Sequence, residues 1–297
     1  VQFKIESWIA KNHSGEAMSK IMESILNITL VIGFQIAVYV VFLRSKIMAW
    51  GASKDEVAIS LIGDDLAQNV SSTRAISINA PISEVWKWVI QLGADRGGFF
   101  SYLFLEKALG YKACEENPTP EFQEMEVGRN VPGSIDESKS VIKYNFRVVA
   151  VETGKSFVLE NWGAFVLKEI NSKQTRLIVR THEQMLPNLK SKIEDFIFMP
   201  LHYIMERRML MGMKARVEGR RLSETSDNLW LLGVFLSGVG IAVNVLFGQG
   251  VLHVSLSIIY GILWLLTFLI FEPKPKYSLS LLLLEAVTII MIVVAGK

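Results

Sequence analysis

The run "ILNITLVIGFQIAVYVVFL", Ile25 to Leu43, contains no charged residue. At about 1.5 Å per residue a helix over it reaches roughly 28 Å, close to the hydrocarbon thickness of a bilayer. Three further runs follow near the other end: Leu229 to Phe247, Val251 to Phe271 and Tyr277 to Ala295, parted only by "GQG" and "EPKPK". In lipid a chain has to satisfy its backbone polar groups internally, and continuous apolar runs of this length do so as helices. Four membrane spans are therefore expected, 25–43, 229–247, 251–271 and 277–295, with an N-terminal arm over 1–24 and one soluble block over 50–222. Over all 297 residues the hydrophobic content is 51%, and the mean hydropathy is +0.33. Both lie above the norm for soluble chains.

Arg44 and Lys46 follow the first span where a cleaved signal would show small residues, so it reads as an uncleaved anchor. The chain opens on Val1, and its natural start is expected upstream. Arg44, Lys46, Arg216, Arg220 and Arg221 flank the soluble block, Lys274 and Lys276 lie in the third loop, and "GQG" is uncharged. By the positive-inside rule the block is expected in the cytoplasm of a multi-pass membrane protein. Glu285 falls in the middle of the last span, where a carboxylate is costly, and is expected to face protein as a packing or partner contact. Gly233, Gly238 and Gly240 suggest close helix packing.

A net charge of +2 gives no basis for a nucleic-acid surface. Cys114 stands alone, and His13, His182, His202 and His253 are scattered without zinc spacing, so no metal and no cofactor are expected.

Within the soluble block "TRAISINA" (73–80) alternates as a strand, and "PISEVWKWVIQLG" (81–93) places Val85, Trp88, Val89 and Leu92 at helical spacing. "SYLFLEKAL" (101–109) reads as a short helix ended by Gly110. The period then changes to two: "VIKYNFRVVAVE" (141–152), "SFVLENWGAFVLKEI" (156–170) and "TRLIVRTHEQM" (175–185) read as three strands of an antiparallel meander. Ile193, Ile197, Leu201, Met205, Met209, Met213 and Val217, four apart, mark a long final helix that Pro200 begins or kinks.

"TRAISINAP", "VWKWVIQLGADRGGFFSY" and "MERRMLMGMKAR", in this order over roughly Gly63 to Arg221, resemble the SRPBCC superfamily. The nearest likeness is to its polyketide cyclase/dehydrase-like members. That resemblance implies an α+β helix-grip (START-like) fold, a curved antiparallel sheet around a long C-terminal helix, with a cavity between them for apolar ligands. The residues then expected to meet the ligand are Trp88, Arg96, Phe99, Phe100, Tyr102, Trp162, Phe165, Met205 and Met209.

The loop "GADRGG" (93–98) follows a helix and lacks the Lys and Ser/Thr of a phosphate cradle, so it reads as a structured hinge at the rim of that cavity. Asp95, Glu106, Glu160, His182 and Glu183 offer acid-base chemistry, but no spacing joins them into a dyad or triad, and no catalytic residue is assigned. On the last strand Arg176, Ile178, Arg180 and His182 share a face opposite Leu177, Val179 and Thr181. The arginine face is either an inward anion site or solvated surface, and the apolar Leu177 face favours the second. The function expected is a membrane-anchored domain that binds a lipid or isoprenoid for storage, presentation or transfer without catalysis. Two alternatives stay open: an accessory subunit with a membrane-protein partner, and a cyclase-like enzyme on a membrane-derived substrate.

Overall fold

The computed structural model describes residues 2–66, 69–108, 111, 117–134, 145–183, 189–247 and 250–295. Two compact units divide the chain: Ser45–Thr225, and a helical unit formed by Val1–Arg44 with Ser226–Lys297. Gly110, residues 141–144, residues 184–185 and most of the "GQG" link, each given a place above, lie outside the described residues.

Helix α1 (Gln2–Val38) runs on through a π-helical turn, Tyr39–Leu43, into α2 (Arg44–Met48). The arm expected over 1–24 is thus helical where it is described. Helix α3 (Lys54–Ala58) opens on a reciprocal capping box: Glu56 N donates to Ser53 Oγ, and Ser53 N donates to the Glu56 carboxylate.

Six strands form one antiparallel sheet in the order β1-β6-β5-β4-β3-β2. They are β1 (Asn69–Ile78), β2 (Asn130–Pro132), β3 (Asn145–Glu152), β4 (Ser156–Leu159), β5 (Gly163–Asn171) and β6 (Gln174–Glu183). Strand β1 pairs with β6 across almost the whole intervening sequence, Asn69 opposite Glu183 and Ile78 opposite Thr175. Between β1 and β2 lie α4 (Ile82–Val89) and α5 (Leu103–Ala108). Val85, Trp88 and Val89, at helical spacing, form the buried face of α4.

The expected single strand over 156–170 is two. Asn161 adopts φ +64 and Gly163 φ +141, which reverses the chain so that β4 and β5 pair with each other, Leu159 opposite Gly163. Asparagine tolerates the left-handed region. At Gly163 any side chain would collide with the Arg180 carbonyl of β6. The turn carries its own signal, Glu160 and Asn161 followed by Gly163, which a reading of one continuous strand passes over.

Helix α6 (Leu189–Val217) packs on β1 and α4. It starts before Pro200, which lies inside it, where the sequence suggested a start or kink at that proline. It ends in a Schellman motif: Gly219 has φ +68, Arg220 N donates to Ala215 O and Gly219 N to Arg216 O. The four-apart series does not form one face. Each such step turns about 40° beyond a full circle, so Met209 and Met213 are buried while Ile193, Ile197 and Leu201 are exposed.

The helical unit continues with α7 (Glu224–Phe247), α8 (Gly250–Leu265) and α9 (Pro275–Ala295). Three helical stretches are long and apolar enough to cross a membrane: Met18–Met48, Glu224–Leu246 and Gly250–Ile270. Glycines admit close neighbours here, Gly233 against Ser278 and Gly238 against Trp264, and Gln35 of α1 sits over Gly261 and donates to Ile258 O. These contacts are the small-residue packing expected between helices in lipid.

Candidate functional site

The inward face of the sheet is apolar along most of its length and charged at one end. Leu177 and Val179 of β6 belong to the core, and their β1 partners Ile76 and Arg74 share their face. Arg74 therefore points into the interior, fully buried, beside Thr181, which lies one pair further along. Helix α6 brings His202, Tyr203 and Glu206 against this end, since residues at i and i+4 share a side of the helix. Glu206 Oε2 stands 3.2 Å from Arg74 Nη1, 3.4 Å from His202 Nε2 and 3.4 Å from Thr181 Oγ1. Arg74 Nε donates to Ile47 O at 2.9 Å.

Tyr203 holds the other side of this group. The guanidinium groups of Arg74 and Arg207 each lie 5.2 Å from its ring centre, and Arg207 Nη1 donates to its hydroxyl. Burial pushes the Tyr203 hydroxyl above its ordinary pKa, and the two arginines work against that rise. The group is incompletely satisfied: Glu206 Oε1 and Arg74 Nη2 are buried without a hydrogen-bond partner. Buried polar atoms are usually paired, so such gaps mark a strained or a ligand-facing site.

A series of rings leads to this group from the surface. Phe198, 49% exposed, stacks on His202 at 5.5 Å, and His202 meets Trp162 edge-on at 6.1 Å. Trp162 in turn touches Phe146 at 5.0 Å, Phe165 at 5.4 Å and Phe99 at 5.6 Å. The β4–β5 turn aims Trp162 inward, and its indole Nε1 has no hydrogen-bond partner. A buried indole N–H normally finds one.

Of the residues nominated from sequence, Trp88, Phe99, Phe100, Trp162, Phe165 and Met209 come together in one core cluster. Trp88 packs edge-on against Phe100 at 5.7 Å. Tyr102 is buried close by, with the Arg208 guanidinium 5.8 Å from its ring. Met205 departs from that group: it is 38% exposed, a consequence of the turning series on α6.

Arg96 is buried in the hinge. It donates to Ile90 O at 2.8 Å and to Glu124 O at 2.9 Å, and burial, with Arg129 nearby, lowers its pKa to about 10. The hinge is ordered as a small bridge between Gly93 and Gly98. Glu106 fixes the next turn by accepting from Phe99 N and Ser101 N. Glu160 is exposed, apart from the buried Glu106.

The arginine face of β6 matches neither alternative drawn from sequence. It lies outside the core, yet Arg180 is only 2% exposed, because residues 53–66 cover it. Arg180 donates to Glu56 O, Val57 O and Ile59 O and pairs with Asp64 at 2.5 Å, which also meets His182 at 3.0 Å. Arg176 pairs with Glu56 at 2.7 Å. The Arg176 hydrogen bond, above all, holds the Glu56 carboxyl below its usual value. For Asp64 burial acts upward, but hydrogen bonds from Leu61 N, His182 and Arg180 outweigh it and the carboxyl is lowered. Sequence spacing gave no hint of this cover, although "SKDE" (53–56) carries the capping-box signature.

Among the described residues no group of three His, Cys, Asp or Glu could hold a metal ion. Arg74, Tyr203 and Glu206 escaped the sequence reading, because residues 74 and 206 meet only through the packing of α6 on β1. No family model, curated protein or solved structure matches this chain.

Proposed function

We propose that residues 45–225 form a START-like, helix-grip domain that binds a hydrophobic ligand with a polar head and acts without catalysis. The ligand class is a lipid or isoprenoid, and its use is storage, presentation or transfer at a membrane. The observation that carries this reading is the series Phe198, His202, Trp162, which runs from an exposed ring into the aromatic core and ends beside three unsatisfied polar atoms. Such a composition, mostly apolar with a few placed polar groups, is that of ligand sites. The rings pack on one another, so a ligand enters by displacing them. A buried Arg74–Glu206 pair can receive either a hydroxyl or an acidic head.

In the same reading α9 is a fourth membrane span, the protein is multi-pass, and the soluble domain faces the cytoplasm, as the flanking arginines favour. Anchors at both ends of the domain keep it at high effective concentration near lipid. The exposed Ile197, Phe198 and Leu201 on α6 give it an apolar surface beside His202.

The test is mass spectrometry of small molecules released from the full chain after purification in native lipid discs, with Glu206→Gln and Trp162→Ala alongside. One stoichiometric amphiphile is expected in the parent protein, and its occupancy should fall severalfold in both variants. Bulk lipid alone, in the same proportions for all three proteins, would defeat the reading.

A further inference from the structure

Glu285 of α9 is 3% exposed, and neither of its carboxylate oxygens has a hydrogen-bond partner among the described residues. It lines a small hollow with Gly240 and Asn244 of α7, Tyr260 of α8 and Thr288 of α9. We propose that this hollow is a binding site for one small monovalent cation, a proton or an alkali-metal ion, held by Glu285 with the Tyr260 and Thr288 oxygens.

The hydrogen-bond directions point to a cation. Thr288 Oγ1 donates to Leu284 O at 2.8 Å, so in its bond with Tyr260 the tyrosine is the donor. The tyrosine proton is spent there, and what Tyr260 has left to offer is a lone pair. Asn244 Nδ2 donates to Ser257 Oγ at 2.9 Å, and Asn244 Oδ1 is engaged by His253 Nδ1 at 2.9 Å. Among the described residues nothing donates to Glu285, and the hydroxyls lining the hollow present oxygen. A buried, unpartnered carboxylate that shares its hollow with the Tyr260 and Thr288 hydroxyls among apolar helices needs a positive guest or a proton.

Charge and size narrow the guest. One carboxylate balances one positive charge, and a divalent ion would leave a net charge in the same apolar surroundings. The hollow has room for about one water-sized guest, too small for an organic amine. Hard oxygen ligands suit an alkali ion, with no soft donor at hand. Gly240 is what makes the room, since a Cβ there would stand 2.9 Å from Glu285 Oε2. Among the described residues the ionisable groups facing the site are Tyr260, and His253 acting through Asn244, both on α8; α7 contributes none at Gly240, Ile241 or Asn244.

The experiment uses the full chain in lipid nanodiscs and compares thermal unfolding in sodium, lithium and choline chloride at equal ionic strength. Infrared spectra of parent minus Glu285→Gln, recorded over a pH series, run beside it. An alkali-ion site gives a melting temperature that rises with sodium or lithium and not with choline. Glu285→Gln loses that rise, and Tyr260→Phe moves its midpoint to about tenfold higher concentration. A proton site gives no alkali response but a protonated-carboxyl band that belongs to Glu285 and disappears as the pH is raised. An ionised Glu285 at neutral pH with no alkali response overturns the proposal, because the carboxylate would then be neutralised by something else. The salt comparison needs no variant, so it stands even where Glu285→Gln fails to fold. It is also independent of the soluble unit, and its outcome is separate from that of lipid binding.

Discussion

Arg74 and Glu206 place two opposite charges in the interior, both side chains fully buried. Breaking such a pair strands the remaining charge, while replacing both partners by apolar groups of similar volume is far milder. Arg74→Leu and Glu206→Leu are each expected to destabilise the soluble unit by about 3–5 kcal/mol. The double variant should cost less than either single change, as read from tryptophan fluorescence during denaturation of the full chain. Simple addition of the two losses would show that they are not coupled. A double variant that folds well but carries no ligand would separate the role of these residues in binding from their role in the core. The aromatic members of the site were legible in the sequence because large apolar residues at helical or strand spacing turn inward almost by necessity. Arg74 was not, for the same reason: an arginine in "TRAISINA" reads as the polar side of an alternating strand, and it turns in to partners that lie far off in the sequence, Glu206 and Tyr203 on α6 and the Ile47 carbonyl.

At the level of elements, residues 53–66 act as a cover held to the outer face of β6 by Arg176 and Arg180. A carboxyl lowered in the folded state contributes stability that is complete above about pH 4 and fades as the pH falls through its folded value. Glu56 and Asp64 are both of this kind. Amide exchange over 53–66, corrected for its intrinsic pH dependence, should therefore accelerate below about pH 4 before the central strands respond. Uniform loss of protection across the sheet would contradict a separate cover. At neutral pH Arg180→Ala should release the same segment, since three backbone carbonyls and Asp64 lose their donor together, at a cost of at least about 3 kcal/mol. Element types were the most readable part of the chain. Helix α4 announced itself by Val85, Trp88 and Val89, and the strands by their alternation. The turn between β4 and β5 was overlooked, because apolar residues on both sides of Glu160, Asn161 and Gly163 make 156–170 look like one strand. The cover was hidden because nothing local in "TRLIVRTHEQM" says that a segment more than a hundred residues earlier will lie on its arginines.

For the molecule as a whole, orientation is the property most open to direct test. Single cysteines at Gln249 and Lys274, in a Cys114→Ser background, should differ toward a membrane-impermeant maleimide applied to intact cells: Gln249→Cys labelled, Lys274→Cys protected. The opposite pattern would put the soluble unit outside and remove the basis for a cytoplasmic ligand. The three helices long and apolar enough to cross a membrane were legible because such runs are rare in any other setting, whereas Glu285 could be recognised as costly but not assigned neighbours until α7, α8 and α9 were packed. The pairing of β1 with β6 also governs how the molecule is made. During synthesis β1 leaves the ribosome about a hundred residues before its partner, a delay of roughly 5–20 s at ordinary elongation rates. Throughout that interval its inward residues have no sheet to join, and α6, which closes over them, emerges later still. The nascent unit over 45–225 thus lacks the one strand that pairs with β1 until residue 183 arrives, and in that interval the bare edges of β1 are open to mispairing.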